Sequence, residues 1–251
     1  MKKNLFSVHG LTKVFPNGFK ALNGINLDVY EGECLLIAGP NGSGKTLLMQ
    51  TLAGLFDHTE GEILFKGKPL EECKNSIRCS VGLVFQDADS QILGETVEED
   101  IRFGPENLKL PKEEMETRIE KTLVDLELTE KREFTARSLS GGEKRRLAVA
   151  GILAMGCETI IMDEPFANLD WPGVIQVLKI ISELKNSEKT IIILTHELEK
   201  VLAFADRLLI IAGGEIKDSG EPEAVLNRLK NDWGVRDPRR VYHNAADCTW
   251  L

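Results

Sequence analysis

Short runs of Val, Ile and Leu recur along the chain, separated by longer stretches in which apolar residues return at helical spacing. Residues 34–38, 81–85, 159–162, 190–194 and 207–211 each predict a strand buried on both faces. Residues 45–55, 143–155, 174–184 and 198–204 predict helices. The alternation predicts an α/β domain, a mostly parallel sheet with helices on its faces. Two regions depart from it. Before about residue 68, the pieces 25–30 and 62–65 read as strands joined by glycine turns, which predicts an antiparallel β layer beside the main sheet. Residues 88–157 carry helical patterns without a strand, and 112–126 is charged and amphipathic, which predicts an inserted helical subdomain. The expected organisation is one domain over residues 1–220, with a core of 1–87 and 158–220 and a helical subdomain of 88–157. A tail, 221–251, opens with a short helix and ends in polar residues.

One glycine-rich segment adds chemistry to this frame. Gly39-Pro40-Asn41-Gly42-Ser43-Gly44-Lys45-Thr46 fits G-x-x-x-x-G-K-[ST], directly after a strand pattern and directly before a helical one. Glycines let the backbone wrap around phosphate oxygens and turn its N–H groups inward. The following helix adds the positive end of its dipole. Lys45 is expected to meet the β- and γ-phosphates, and Thr46 to offer its hydroxyl to Mg²⁺. The fold class thus narrows to a P-loop NTPase of the RecA-like type, with ATP and Mg²⁺ as its expected ligands.

Asp163-Glu164 ends another apolar run, at the carboxyl edge where open α/β sheets bind ligands. Asp163 is expected to hold Mg²⁺ through its water shell and Glu164 to polarise the attacking water. An acid pair alone more often caps a helix, and the glycine loop upstream changes that balance. Leu139-Ser140-Gly141-Gly142-Glu143 precedes a further helix, and a Ser-Gly-Gly turn at a helix start is a second anion site. One nucleotide needs one P-loop. Alone, the turn Ser140-Gly141-Gly142 would more often be an ordinary N-cap; beside a P-loop it is expected to serve the nucleotide of a second copy.

Charge and length restrict the partners. A net charge of -9 and a pI near 5.1 argue against a dedicated nucleic-acid binder. With 251 residues, 42% of them hydrophobic, the chain can bury one sizeable core. No apolar run approaches the about 20 residues that cross a bilayer. Met1-Lys2-Lys3-Asn4-Leu5 carries no signal-peptide core, which predicts a cytosolic chain, for which any transport role would need a separate membrane partner. Cys34, Cys73, Cys79, Cys157 and Cys248 lack metal-type spacing and read as reduced thiols.

These motifs resemble the ATP-binding cassette family over nearly the whole chain. Leu139-Ser140-Gly141-Gly142 is similar to its signature motif, Gln86 to its Q-loop glutamine, Asn168-Leu169-Asp170 to its D-loop and His196 to its switch histidine. A closer resemblance is to the ATPase subunits of energy-coupling-factor importers, which take up vitamins or transition-metal ions such as cobalt. It lies in Val84-Phe85-Gln86-Asp87-Ala88-Asp89-Ser90-Gln91, in residues 96–105 and in residues 145–155. Glu143 stands where Gln is common, and Ala167-Asn168 where Ser-Ala is common.

The resemblance implies an ATP-hydrolysing subunit, peripheral on the cytoplasmic face of the cell membrane. Its implied partners are a second ABC ATPase subunit (identical or a paralogue), a transmembrane coupling subunit and a substrate-binding membrane subunit. It implies that Phe15, or else Phe19, stacks on adenine. Gln86 would reach Mg²⁺ or the attacking water, His196 would contact the γ-phosphate and support Glu164, and Asp170 would serve cross-dimer contacts. Residues 88–99 would dock the transmembrane subunit. The alternative is a non-transport cassette ATPase acting on DNA or ribosomes, but such proteins usually carry coiled coils or tandem cassettes and neither appears here.

Overall fold

In a computed structural model, which describes residues 3–239, the chain opens on two long antiparallel strands, β1 (Asn4–Val14) and β2 (Lys20–Tyr30). β3 (Cys34–Ala38) enters a second sheet and leads through the glycine loop into α1 (Lys45–Leu52). β4 (Glu60–Phe65) and the short β5 (Lys68–Pro69) return to the first sheet. α2 (Lys74–Ser80) delivers β6 (Val81–Val84) to the second. Three helices follow, α3 (Val97–Asn107), α4 (Lys112–Asp125) and α5 (Gly141–Met155). β7 (Thr159–Asp163), α6 (Trp171–Asn186), β8 (Thr190–Thr195) and α7 (Leu198–Val201) come next. β9 (Arg207–Ala212), β10 (Glu215–Gly220) and α8 (Pro222–Asn227) end the regular elements.

The second sheet runs β10-β9-β3-β8-β7-β6, parallel from β9 to β6, with β10 antiparallel at one edge. The first runs β2-β1-β4-β5 and is antiparallel. β3 shows how the layers are written into sequence. Successive strand residues face opposite sides. Cys34, Leu36 and Ala38 join a core shared with the helices, whereas Leu35 and Ile37 join a core shared with the first sheet. A strand between two layers has to be apolar throughout, and Cys34–Ala38 is buried at every position. The helical segment has no core of its own, because Ile101, Ile119, Leu123 and Leu147 lie in the same apolar cluster as Ile160 and Ile191.

Element ends follow caps more than hydrophobic spacing. α5 begins two residues before the periodic segment, at Gly141, because Ser140 and Glu143 form a capping box. α6 begins at Trp171 because the Asp170 side chain accepts from the Gly173 N–H at 3.0 Å. Residues 198–204 split into α7 and a 3₁₀ turn, Leu202–Phe204. β10 carried no clear apolar run, since its outer face is open and its positions are half-buried or exposed. Cys34 and Cys157 are buried, and burial pushes their thiols up to about 12 and about 11. Cys248 and residues 240–251 of the tail lie outside the described residues.

Gly82 marks the closest approach of α5 to the sheet. A methyl group there would sit 2.1 Å from Ile152 Cγ2, and β-branched Ile152 has little rotamer freedom in a helix. Gly82→Ala is expected to lower unfolding free energy by about 1–3 kcal/mol through overpacking. Urea unfolding followed by circular dichroism measures this, and an unchanged midpoint would mean that the helix can shift freely over β6.

Candidate active site

Parallel register collects the strand ends. Ala38 pairs with Thr195, Asp163 with Leu194 and Val84 with Met162, so the segments after β3, β8, β7 and β6 emerge at one edge. They enclose a cavity of about 580 Å³, entered by residues 41–46 of the glycine loop and by Gln86, Asp163, Glu164 and His196.

The glycine loop turns on Gly42 and Gly44, with φ of 77° and 103°. Glycine adopts such angles without a Cβ clash. Gly39 is required for a different reason. A methyl there would lie 2.0 Å from the Ile211 carbonyl oxygen, so the loop presses directly on β9. Lys45 is buried, and its ammonium donates to the carbonyls of Gly39 at 2.7 Å and Pro40 at 3.1 Å. Burial holds its pKa below the ordinary lysine value, while the charges of Glu164 and Asp163 oppose that shift. The Ser43 hydroxyl is buried and has no hydrogen-bond partner among the described residues. An orphaned hydroxyl within a glycine loop suits an anion with many oxygens.

On the facing side, Thr46 Oγ1 donates to Asp163 Oδ2 at 2.7 Å. Burial raises the Asp163 pKa, and the Thr46 hydrogen bond and the charge of Lys45 pull it back. Glu164 sits at φ 44°, a left-handed conformation uncommon outside glycine. Its N–H donates to the Leu194 carbonyl at 2.8 Å. Its buried carboxylate lies 2.9 Å from His196 Nδ1 and accepts from the His196 N–H at 3.4 Å. His196 itself is half-exposed to the cavity. A hydroxyl, a carboxylate and the Gln86 amide form a hard oxygen donor set, which fits Mg²⁺.

Phe15 lines the cavity, whereas Phe19 is exposed and does not. Phe56 and Gln50 also line it, and the sequence reading missed both. Gln50 lies within α1 and Phe56 four residues past its end, and neither position carries a motif, so their convergence on the loop is visible only in the fold. Gly39 and Pro40 reach the cavity only through Lys45.

Four predicted residues lie elsewhere in this copy: Ser140, Gly141, Gly142 and Asp170 do not line the cavity. Ser140 and Gly141 are exposed at the tip of α5. Gly142 packs against the start of α6, where an added methyl would lie 3.2 Å from Gly173 Cα. Asp170 is engaged as the cap of that same helix. The two candidate anion turns are therefore separate within one chain.

Comparison with known proteins finds the chain similar to ABC transporter ATP-binding subunits. The family model described as ABC transporter matches residues 22–167. The chain is 43% identical over 219 residues to the energy-coupling factor transporter ATP-binding protein EcfA of Methanocaldococcus jannaschii, covering 86% of this chain and 78% of that one. It is 39% identical over 226 residues to the cobalt import ATP-binding protein CbiO of Rhodobacter capsulatus, covering 89% and 81%. The solved structure of cbiO1 from Clostridium perfringens, described as part of the ABC transporter complex cbiONQ, superposes with a TM-score of 0.83 at 34% identity, over 90% of this chain and 92% of that one.

The loop geometry separates two glycines by mechanism. Gly39→Ala should displace the loop from β9 and weaken ATP binding by at least about tenfold, or 1.4 kcal/mol. Gly42→Ala meets open space and strains only the backbone, so its loss should be smaller. Isothermal titration with ATP compares them, and equal affinities would remove the steric role of Gly39.

Proposed function

This chain belongs to the ABC transporter family, and on that premise we propose that it is the ATP-binding and ATP-hydrolysing subunit of an energy-coupling-factor importer for vitamins or transition-metal ions such as cobalt. The names and identities of its relatives support that reading. One observation carries the mechanism: a complete set of phosphate, base and oxygen-donor groups lines one cavity, while a second anion turn stands exposed outside it.

The loop N–H groups and Lys45 bind the triphosphate, and Lys45 exchanges the carbonyls of Gly39 and Pro40 for phosphate oxygens. Ser43 gains a partner for the hydroxyl that has none among the described residues. Thr46, Asp163 and Gln86 are the residues that would hold Mg²⁺, which neutralises charge on the phosphate oxygens when bound. Glu164 accepts the proton of the attacking water as the γ-phosphate leaves. His196 holds the Glu164 carboxylate toward the cavity and offers its half-exposed ring to the γ-phosphate. Phe15 stacks on adenine, with little selection between bases because every base has a π-face.

A second copy, or a paralogue, supplies Ser140, Gly141 and Gly142 to this γ-phosphate, with Asp170 on the same contact face. ATP favours the closed pair because only that state makes both sets of contacts. Hydrolysis removes the bridging phosphate and releases it. Residues 88–99, with Leu93 exposed among them, dock the transmembrane coupling subunit beside Gln86. No helix among the described residues is long and apolar enough to cross a membrane, so this docking is what would hold the subunit, peripherally, at the cytoplasmic face.

Glu164→Gln should retain ATP binding and lower steady-state hydrolysis by about 10²-fold or more. Ordinary phosphate release from that variant would remove Glu164 from the chemistry. Ser140→Arg should abolish ATP-dependent pairing, read by size-exclusion chromatography, although its own loop stays intact. Pairing at the wild-type ATP concentration would contradict the trans role of the turn.

A further inference from the structure

We propose that Arg145 is a positioning residue for ATP hydrolysis: its buried guanidinium clamps the backbone at Gln86 and thereby sets where the glutamine side chain enters the cavity. The proposal rests on the role given to Gln86 above.

Arg145 lies on α5 and is only 3% exposed. Its Nη2 donates to the Gln86 carbonyl at 2.8 Å, and its Nη1 donates to the Phe85 carbonyl. β6 ends at Val84, so these are the first two carbonyls that leave the sheet. Such groups need partners once buried. A planar guanidinium presents two parallel donors and can span consecutive carbonyls, whereas a lysine ammonium acts as a single point. The Nε of Arg145 is buried without a hydrogen-bond partner among the described residues, so the polar contacts of the side chain run through its fork. Burial disfavours its charge, and Asp87 and Asp163 oppose that from the loop and from the cavity edge.

Keeping an arginine in such a place is costly. A purely structural link between α5 and the sheet could be apolar, as Ile152 against Gly82 already is. The rest of the loop has separate anchors. The Gln91 amide bridges the Leu83 carbonyl at 2.9 Å and the Phe85 N–H at 3.1 Å, and Lys144 pairs with Asp89 at 2.5 Å. Arg145 fixes the step between these anchors, at the residue that lines the cavity. It also sits on the helix that starts at the Ser140 turn. Movement of that turn against a second copy would therefore reach Gln86 through a rigid helix and two hydrogen bonds.

The test is a double-mutant cycle on the full chain, with Arg145→Lys, Gln86→Ala and the combined variant. ATP affinity, KM and kcat are measured together with thermal unfolding. Arg145→Lys keeps length and charge, and it should leave ATP affinity within about twofold while lowering kcat about tenfold, since small misplacements of a reacting group are costly. In the Gln86→Ala background the same change should alter kcat by less than about twofold. Hydrogen exchange should quicken at residues 85–89 in Arg145→Lys. If the two losses multiply, or if Arg145→Lys keeps the wild-type kcat, Arg145 does not act through Gln86 and the proposal fails. If Gln86→Ala alone keeps the wild-type kcat, the role of Gln86 in the proposed function fails and this inference falls with it.

Discussion

The parallel pairing of β3, β8, β7 and β6 is the constraint on which the site depends. Its chemical groups lie far apart in sequence, from Lys45 to His196, and nothing local holds them together. The register sets Ala38 beside Thr195 and Asp163 beside Leu194, so each strand stops at the same edge. A slip of one residue would also turn every side chain of a strand to the opposite layer. The apolar residues that fill the two cores therefore also fix where the carboxylates end up. Ile161 and Ile192 belong to one core, Ile160 and Ile193 to the other, and together they lock β7 against β8.

Charge burial at this edge is the counterpart of that rigidity. Lys45, Arg145, Asp163 and Glu164 are all buried. Each would be unfavourable in isolation, and each has a defined neighbour: loop carbonyls for the cations, Thr46 for Asp163 and His196 for Glu164. The left-handed backbone at Glu164 adds strain at the carboxylate proposed as the base. The surrounding strands supply the stability that holds it there.

Much of this was legible in the chain. Continuous apolar runs named the parallel strands, and the glycine loop named its own chemistry because strand, turn and helix follow one another there. The acid pair was legible through the glycine loop upstream and His196 through the family resemblance, and the fold brings all three residues to one cavity. The rest depended on contacts that no short segment encodes. The resemblance favours Phe15 and leaves Phe19 as a substitute, and the turn that joins β1 to β2 sends Phe15 into the cavity and Phe19 outward. Gln50, inside the predicted helix, and Phe56, just past it, reach the site from positions that no motif marks. In sequence Arg145 is only the first residue of the segment 145–155 that carries the resemblance, and its hold on the carbonyls just after β6 emerges only when α5 packs on the sheet. Asp170 showed as part of a motif, while its visible work within one chain is to start α6.

What one copy brings together is thus a binding cavity without the Ser-Gly-Gly turn, which projects from the tip of α5. The account requires that a neighbour supply it. Complementation between two disabled variants tests this most directly: Lys45→Ala copies mixed with Ser140→Arg copies, followed by ATP hydrolysis. The mixed pair rebuilds one site, from the intact loop of the second variant and the intact turn of the first. The mixture should therefore hydrolyse ATP when neither variant does alone. A mixture no more active than its separate components would contradict a shared site.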